Sequence, residues 1–280
     1  MPPCPLPGGY AGGQPWQALA DARGRIAEDV LQAEAARRGL SLLEAQTQVC
    51  DAGFLPTRYA RNASMLSPAE QGQLLRGHVL LVGLGGLGGH ILDMLARMGV
   101  GHIVGVDGDI FEESNCNRQL LASCRTLGQG KAQAAAAHAA AVNPAIRFTP
   151  VPQFVRGEGF APLAAQAEVV VDALGGLTHR RALHRAAADA GKPVVCAGIA
   201  GLTGWVSVVS PGGADPLFWM EQGETGGESA EERLGNLAPA AAMAASLQAA
   251  EVLKILTRRK FLQGVLFFDM EDSKIEKIKL

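Results

Sequence analysis

The sequence has little cysteine and no C-x-x-C pair. Cys4, Cys50, Cys116, Cys124 and Cys196 are scattered and odd in number. That excludes a zinc knuckle and a disulfide framework, and isolated thiols fit a reducing compartment. An excess of charge of either sign is also missing: 25 basic residues stand against 27 acidic ones. The chain as a whole therefore carries no electrostatic footprint for nucleic acid or an anionic membrane. Nor is there an uninterrupted apolar run. The longest stretch, Leu237 to Leu256, contains Gln248, Glu251 and Lys254 and repeats with a helical period, so it reads as a core helix. The opening MPPCPLPGGYAGG lacks the basic and apolar regions of a signal peptide and reads as a loose tail. These absences lead to the expectation of a cytoplasmic protein. What is present, 48% hydrophobic and 19% charged residues over 280 positions, describes a globular chain with a sizeable core.

Residues 14 to 52 read as a separate helical region. PWQALADARGRIAEDVLQAEAARRG is rich in good helix formers and ends at Gly39. Ser41 with Glu44 has the spacing of a capping box, and Ser67-Pro68 with Glu70 repeats the signal with proline at the first helical position. From His78 the pattern alternates. Strands are predicted at 78–85, 102–107, 146–151, 168–174 and 193–199, with helices at 89–99, 131–143, 157–166 and 178–190. This alternation implies right-handed β-α-β units and a mostly parallel sheet. A strand at 204–210 follows. Residues 211–235, glycine-rich and acidic, read as a long surface loop, and a hairpin closes the chain after the core helix.

Gly83-Leu84-Gly85-Gly86-Leu87-Gly88 satisfies G-x-G-x-x-G between a strand and a helix. Its glycines let a phosphate approach the backbone, and the helix N-terminus supplies free N–H groups. Asp107, at the end of the next strand, has the position from which a carboxylate binds ribose hydroxyls. The motif alone leaves NAD, FAD and ATP open. The stretch after Asp107 narrows the choice. Asp109, Asn115, Asn117, Arg118 and Gln119 crowd the carboxyl end of a parallel strand, and Lys131 follows at a helix start. A nicotinamide site needs no such set, whereas an arginine fork and a lysine suit a polyphosphate.

Arg58-Tyr59-Ala60-Arg61, GLGGLGG, MGVGHIVGVDGD, SNCNRQ, GQGKAQAA and VNPAIRF occur in this order. With LAPAAAMAASLQAAEVLKIL, the set resembles the MoeB/ThiF/HesA family of ubiquitin-like-protein activating enzymes from about Arg58 onward. The resemblance implies a Rossmann-like, doubly wound α/β domain over 58–280, its mostly parallel sheet ending in antiparallel strands, preceded by a helical extension over 1–57. It implies an ATP- and magnesium-dependent adenylyltransferase that activates the C-terminal Gly-Gly carboxylate of a small ubiquitin-like sulfur carrier as an acyl-adenylate. By position, Gly83, Gly85, Gly86, Gly88, Asp107, Asn115 and Gln119 would bind the nucleotide. Arg118 and Lys131 would hold phosphates, and Arg61 would reach into the partner's site in a homodimer.

The sequence departs from that pattern where the family shows D-x-x-D-N. Here it reads Asp172-Ala173-Leu174-Gly175-Gly176, so the second aspartate and the asparagine are glycines. Asp172 and Asp109 are the carboxylates left for magnesium. The family's Cys₄ zinc site has no counterpart, because no cysteine follows Cys196. For the same reason the 211–235 loop offers no nucleophile, and the reaction is expected to end at the acyl-adenylate. The six histidines lack metal-ligand spacing. His90 abuts the glycine loop, and Trp205, Phe218 and Trp219 flank the acidic loop. Alternatives are a degenerate nucleotide-binding partner without catalysis, activation of another carboxylate or amide, and, last, an NAD oxidoreductase.

Overall fold

A computed structural model describes residues 16–177, 179–218 and 230–279. The chain divides into two compact units, Met1–Arg76 and Gly77–Leu280. The first opens with β1 (Arg25–Ile26), which pairs in parallel with β2 (Leu55–Pro56). Between them lie α1 (Glu28–Arg38) and α2 (Leu42–Asp51), and α3 (Pro68–Arg76) follows. Gly39 ends α1 in the left-handed region at φ +66, and the Ser41–Glu44 capping box starts α2, both as expected. The single helix expected from residue 15 to 39 is shorter, beginning only at Glu28. Asp21 Oδ1 accepts the N–H groups of Arg23 and Arg25 at 2.8 and 2.9 Å, and Gly24 has φ +71, so a local turn outcompetes the helix there. Trp16, Ile26, Leu31, Ala35, Ala45 and Val49 form this unit's core, with a second cluster of Cys50, Leu55, Tyr59 and Leu75. That cluster explains why the unit extends to Arg76: it joins α2, β2 and α3 through shared buried side chains.

The second unit is built on an eight-stranded sheet. Its strands are β3 (His78–Val82), β4 (His102–Val106), β5 (Arg147–Val151), β6 (Val169–Asp172), β7 (Val194–Ala200), β8 (Thr203–Val209), β9 (Val265–Asp269) and β10 (Lys274–Ile278). They run in the order β10-β9-β8-β7-β6-β3-β4-β5. Pairs from β7 to β5 are parallel, and those from β7 outward to β10 are antiparallel. The parallel part is doubly wound, as expected. α4 (Gly88–Met98) packs against both α5 (Lys131–Val142) and the long helix Ala238–Leu256, while α6 (Ala161–Gln166) and α7 (Arg180–Asp189) pack together over a core of Leu80, Val82, Val170, Leu183 and Val194. Burial of β6 on both faces explains its unbroken valine run. The long helix packs through alanines, and its buried Gln248 donates to the carbonyls of Asp172 and Val195 at 3.1 and 3.2 Å, tying the ends of β6 and β7 together.

Two expectations change in this unit. The first strand stops at Val82 because Gly83 turns at φ +92. Residues 211–235 are not wholly loop, since Ala230–Leu234 is a short helix; residues 219–229, with Trp219, lie outside the described residues. The closing hairpin is as expected, with Asp269 Oδ1 accepting the turn N–H groups of Glu271 and Asp272.

Candidate nucleotide site

Strand order reverses between β3 and β6: β4 and β5 lie on one side of β3, β6 and β7 on the other. In open α/β sheets this crevice, at the carboxyl ends of the strands, is where ligands bind. The glycine loop occupies it. Gly83 passes so close to β6 that a Cβ would lie 2.4 Å from the Ala173 carbonyl oxygen, and a Cβ on Gly88 would lie 1.8 Å from that of Gly83. Gly85 and Gly86 serve differently. A Cβ on Gly85 would stand 3.4 Å from the Gln119 amide, and one on Gly86 3.7 Å from Arg118 Cγ. Both side chains from the stretch after β4 therefore lie against the loop.

Lys131 joins through a relay of hydrogen bonds. Leu84 N–H donates to Asp107 Oδ2 at 2.8 Å, and Asp109 N–H donates to Asp107 Oδ1 at 2.9 Å. Lys131 Nζ, buried at the start of α5, donates to Asp109 Oδ2 at 2.7 Å. Burial pushes the Asp109 carboxyl up, but Lys131 and the Ile110 N–H outweigh it and hold it below the ordinary value. Arg118 donates to the Ser114 carbonyl and to Asn117 Oδ1 and lies half-buried beside the loop. Asn115 is buried and caps the turn by accepting the Glu112 N–H at 3.2 Å. Gln119 is buried too, and its Oε1 has no partner. A buried acceptor left open beside glycine backbone is costly unless a ligand donor completes it. The cradle, the ribose-side carboxylate and this open acceptor fit a nucleotide. His90 is half-buried, held below its ordinary pKa mainly by desolvation, with the Arg118 backbone opposing. Arg61 is exposed and belongs to the first unit, as does Arg58, which forms a fork on Glu28 at 2.7 and 2.8 Å.

The magnesium assignment of Asp172 needs correction. Asp172 is fully enclosed. Its Oδ2 accepts Arg180 Nε at 2.6 Å and faces His184 Nε2 at 3.0 Å, while Oδ1 accepts the Leu174 N–H. His184 Nδ1 meets Asp215 Oδ2 at 2.7 Å. With a carboxylate at each ring nitrogen, both must donate, which requires the imidazolium. Desolvation disfavours that charge, but the two carboxylates prevail and raise His184 above its ordinary value. Burial likewise pushes Asp172 up, and Arg180 and His184 pull it lower still. The Asp172 carboxylate is thus committed to two buried cations. Among the described residues no three His, Cys, Asp or Glu side chains converge on a metal position. With Asp172 so engaged, Asp109 alone is left of the two aspartates named for magnesium. Arg180 and His184 belong to no motif that marks them as partners of Asp172. Their i, i+4 spacing on the helix after β6 was the available signal.

Of the described cysteines, Cys50 and Cys196 are buried, and desolvation pushes the Cys50 thiol up to about 12 and the Cys196 thiol well up; Cys116 and Cys124 are exposed.

The crevice, its glycine loop and the polar stretch after β4 that carries Arg118 and Lys131 define a nucleotide-binding protein of the doubly wound α/β class. The profile of the ThiF family matches residues 59–280, and the chain belongs to that family. It is 32% identical over 228 residues to the SAMP-activating enzyme E1 of Haloferax volcanii, covering 79% of this chain and 84% of the relative. It is 30% identical over 229 residues to the sulfur carrier protein ThiS adenylyltransferase of Escherichia coli K12, covering 80% and 90%. Among solved structures, that of E. coli MccB with AMPCPP and MccA superposes with a TM-score of 0.68 at 21% identity, over 80% of this chain and 71% of MccB. That likeness concerns the fold.

Proposed function

We propose that this chain is an ATP-dependent adenylyltransferase that activates a small ubiquitin-like sulfur-carrier protein. The carrier's terminal carboxylate oxygen attacks the α-phosphorus of ATP, the bond to the β-phosphate oxygen breaks, and pyrophosphate leaves with an acyl-adenylate remaining on the carrier. The observation that carries this reading is the relay from Leu84 through Asp107 and Asp109 to Lys131, with Arg118 laid along Gly86. Asp107 has accepting capacity left for a ribose hydroxyl, since its two bonded N–H groups use only part of it. The open Gln119 Oε1 accepts from the nucleotide, and Asn115 holds the turn that presents Arg118 and Gln119. Arg118 and Lys131 meet the charge that grows on the leaving pyrophosphate. Stabilisation of this kind acts through position and preorganised charge rather than covalent participation. Asp109, exposed on its side chain, is the relay carboxylate that a metal-bound triphosphate would meet on this side.

The same reading assigns Arg61 to a partner's site in a homodimer, a Gly-Gly terminus to the carrier, and the cytoplasm as location. It leaves sulfur transfer to another protein. Carrier-dependent ATP–pyrophosphate exchange is the test. Exchange that needs the carrier and is lost in Arg118→Ala is the expected result. Full exchange in Arg118→Ala would end the mechanism. Tight Mg-ATP binding with no exchange for any Gly-Gly carrier would favour the non-catalytic alternative.

A further inference from the structure

Gly175 stands where the family pattern calls for a carboxylate, and the fold brings one to the same place from elsewhere. A Cβ on Gly175 would lie 4.0 Å from Glu231 Oε2, with no other atom that near among the described residues beyond its chain neighbours. An aspartate at 175 would therefore point its carboxylate into the space that the Glu231 carboxylate already reaches. We propose that Glu231 supplies the metal-facing carboxylate missing at Gly175, holding a divalent cation, Mg²⁺, against the triphosphate of the bound nucleotide.

Two features place Glu231 for this. The short helix that carries it is fastened to both sides of the crevice. Gly201, just past β7, donates to the Gly235 carbonyl at 2.7 Å and bridges Asn236, while Asn117, beside Arg118, donates to the Asn236 carbonyl at 3.0 Å. The carboxylate is half-buried, hydrogen-bonded to Asn236 and within the fields of Arg118 and Arg180, with Glu232 beside it in the helix. Magnesium on a nucleotide needs only one or two protein carboxylates, because phosphates and waters complete its shell. A single glutamate suffices where no preformed cluster exists.

The inference rests on the nucleotide reading of the crevice but not on the identity of the carrier. Mn²⁺ serves as the probe, with free Mn²⁺ followed by its paramagnetic resonance signal in the presence of full-length protein and the non-hydrolysable analogue AMPCPP. The wild type should bind Mn²⁺ at least about 10-fold more tightly than AMPCPP alone does, and Glu231→Gln should lose that gain. Gly175→Asp in the Glu231→Gln background should restore it, since position 175 is open and outside the left-handed region. Equal Mn²⁺ affinity in wild type and Glu231→Gln overturns the proposal. So does tighter metal-free AMPCPP binding in Glu231→Gln, which would make Glu231 a competitor for Arg118 instead. Protein that shows no Mn²⁺ gain at all overturns it as well. Glu231-dependent Mn²⁺ binding without carrier-dependent exchange would sustain the metal site while sinking the carrier reading.

Discussion

The two sides of the crevice are built by different logic. On the β4 side, the charged residues from Asp107 to Lys131 bond one another, nearby groups of the same stretch or the adjoining glycine loop. On the β6 side, Asp172 is turned inward to Arg180 and His184, and the carboxylate that reaches the crevice comes from Glu231 on a distant segment. One side keeps its family motif where it stands. The other has moved its charge. Motif loss at Gly175 is thus poor evidence of lost function until the neighbours in space are known.

The sharpest way to break this comparison is at the glycine loop shared by both sides. Gly88→Ala would drive a methyl to within 1.8 Å of the Gly83 carbonyl oxygen. Nucleotide binding measured by calorimetry should fall at least about 100-fold, since the backbone must move away from its contact with phosphate. Wild-type affinity in that variant would show that the loop is only a packing turn. Next in size is Arg118→Ala, for which carrier-dependent exchange should drop about 100- to 1,000-fold with circular dichroism unchanged. Arg118→Lys should fall between, keeping the charge but losing the fork.

The β6 side should answer in stability rather than chemistry. Asp172→Asn removes the carboxylate that Arg180 and His184 share, leaving His184 with Asp215 alone, and should cost about 3–5 kcal/mol in urea unfolding. The Mg²⁺ concentration needed for half-maximal exchange should not change in the surviving fraction. A rise in that requirement without loss of stability would return Asp172 to the metal. A smaller effect concerns pH. His184 is raised above its ordinary 6.5, so its contribution is complete below that value and is lost as pH rises through the elevated one. Asp172 and Asp215 are lowered from 3.8, so theirs holds above that value and is lost as pH falls through the depressed ones. His184→Gln should therefore flatten the alkaline decline in unfolding free energy. An unchanged slope above pH 6.5 would show that the imidazolium contributes nothing.

Much of the molecule could be read in advance because its signals are local. Valine runs, glycine stops and capping residues act within a turn or a strand, and they located β3 to β10, Gly39 and the Ser41 cap. The sequence also singled out Gly83–Gly88, Arg118, Gln119 and Lys131 by residue type and spacing, and the fold gathers them around one crevice. The helix before Glu28 was misread because a single aspartate turn defeats several good helix formers.

What only the tertiary structure decided is which charges meet. Asp172 finds His184 12 residues away, and His184 finds Asp215 a further 31 along. Gly175 finds Glu231 across the crevice. Propensity and periodicity say where a strand ends, but they carry no information about which distant side chain arrives there. Electrostatic energy depends on separation and burial, and both are set only when the sheet and its helices have closed.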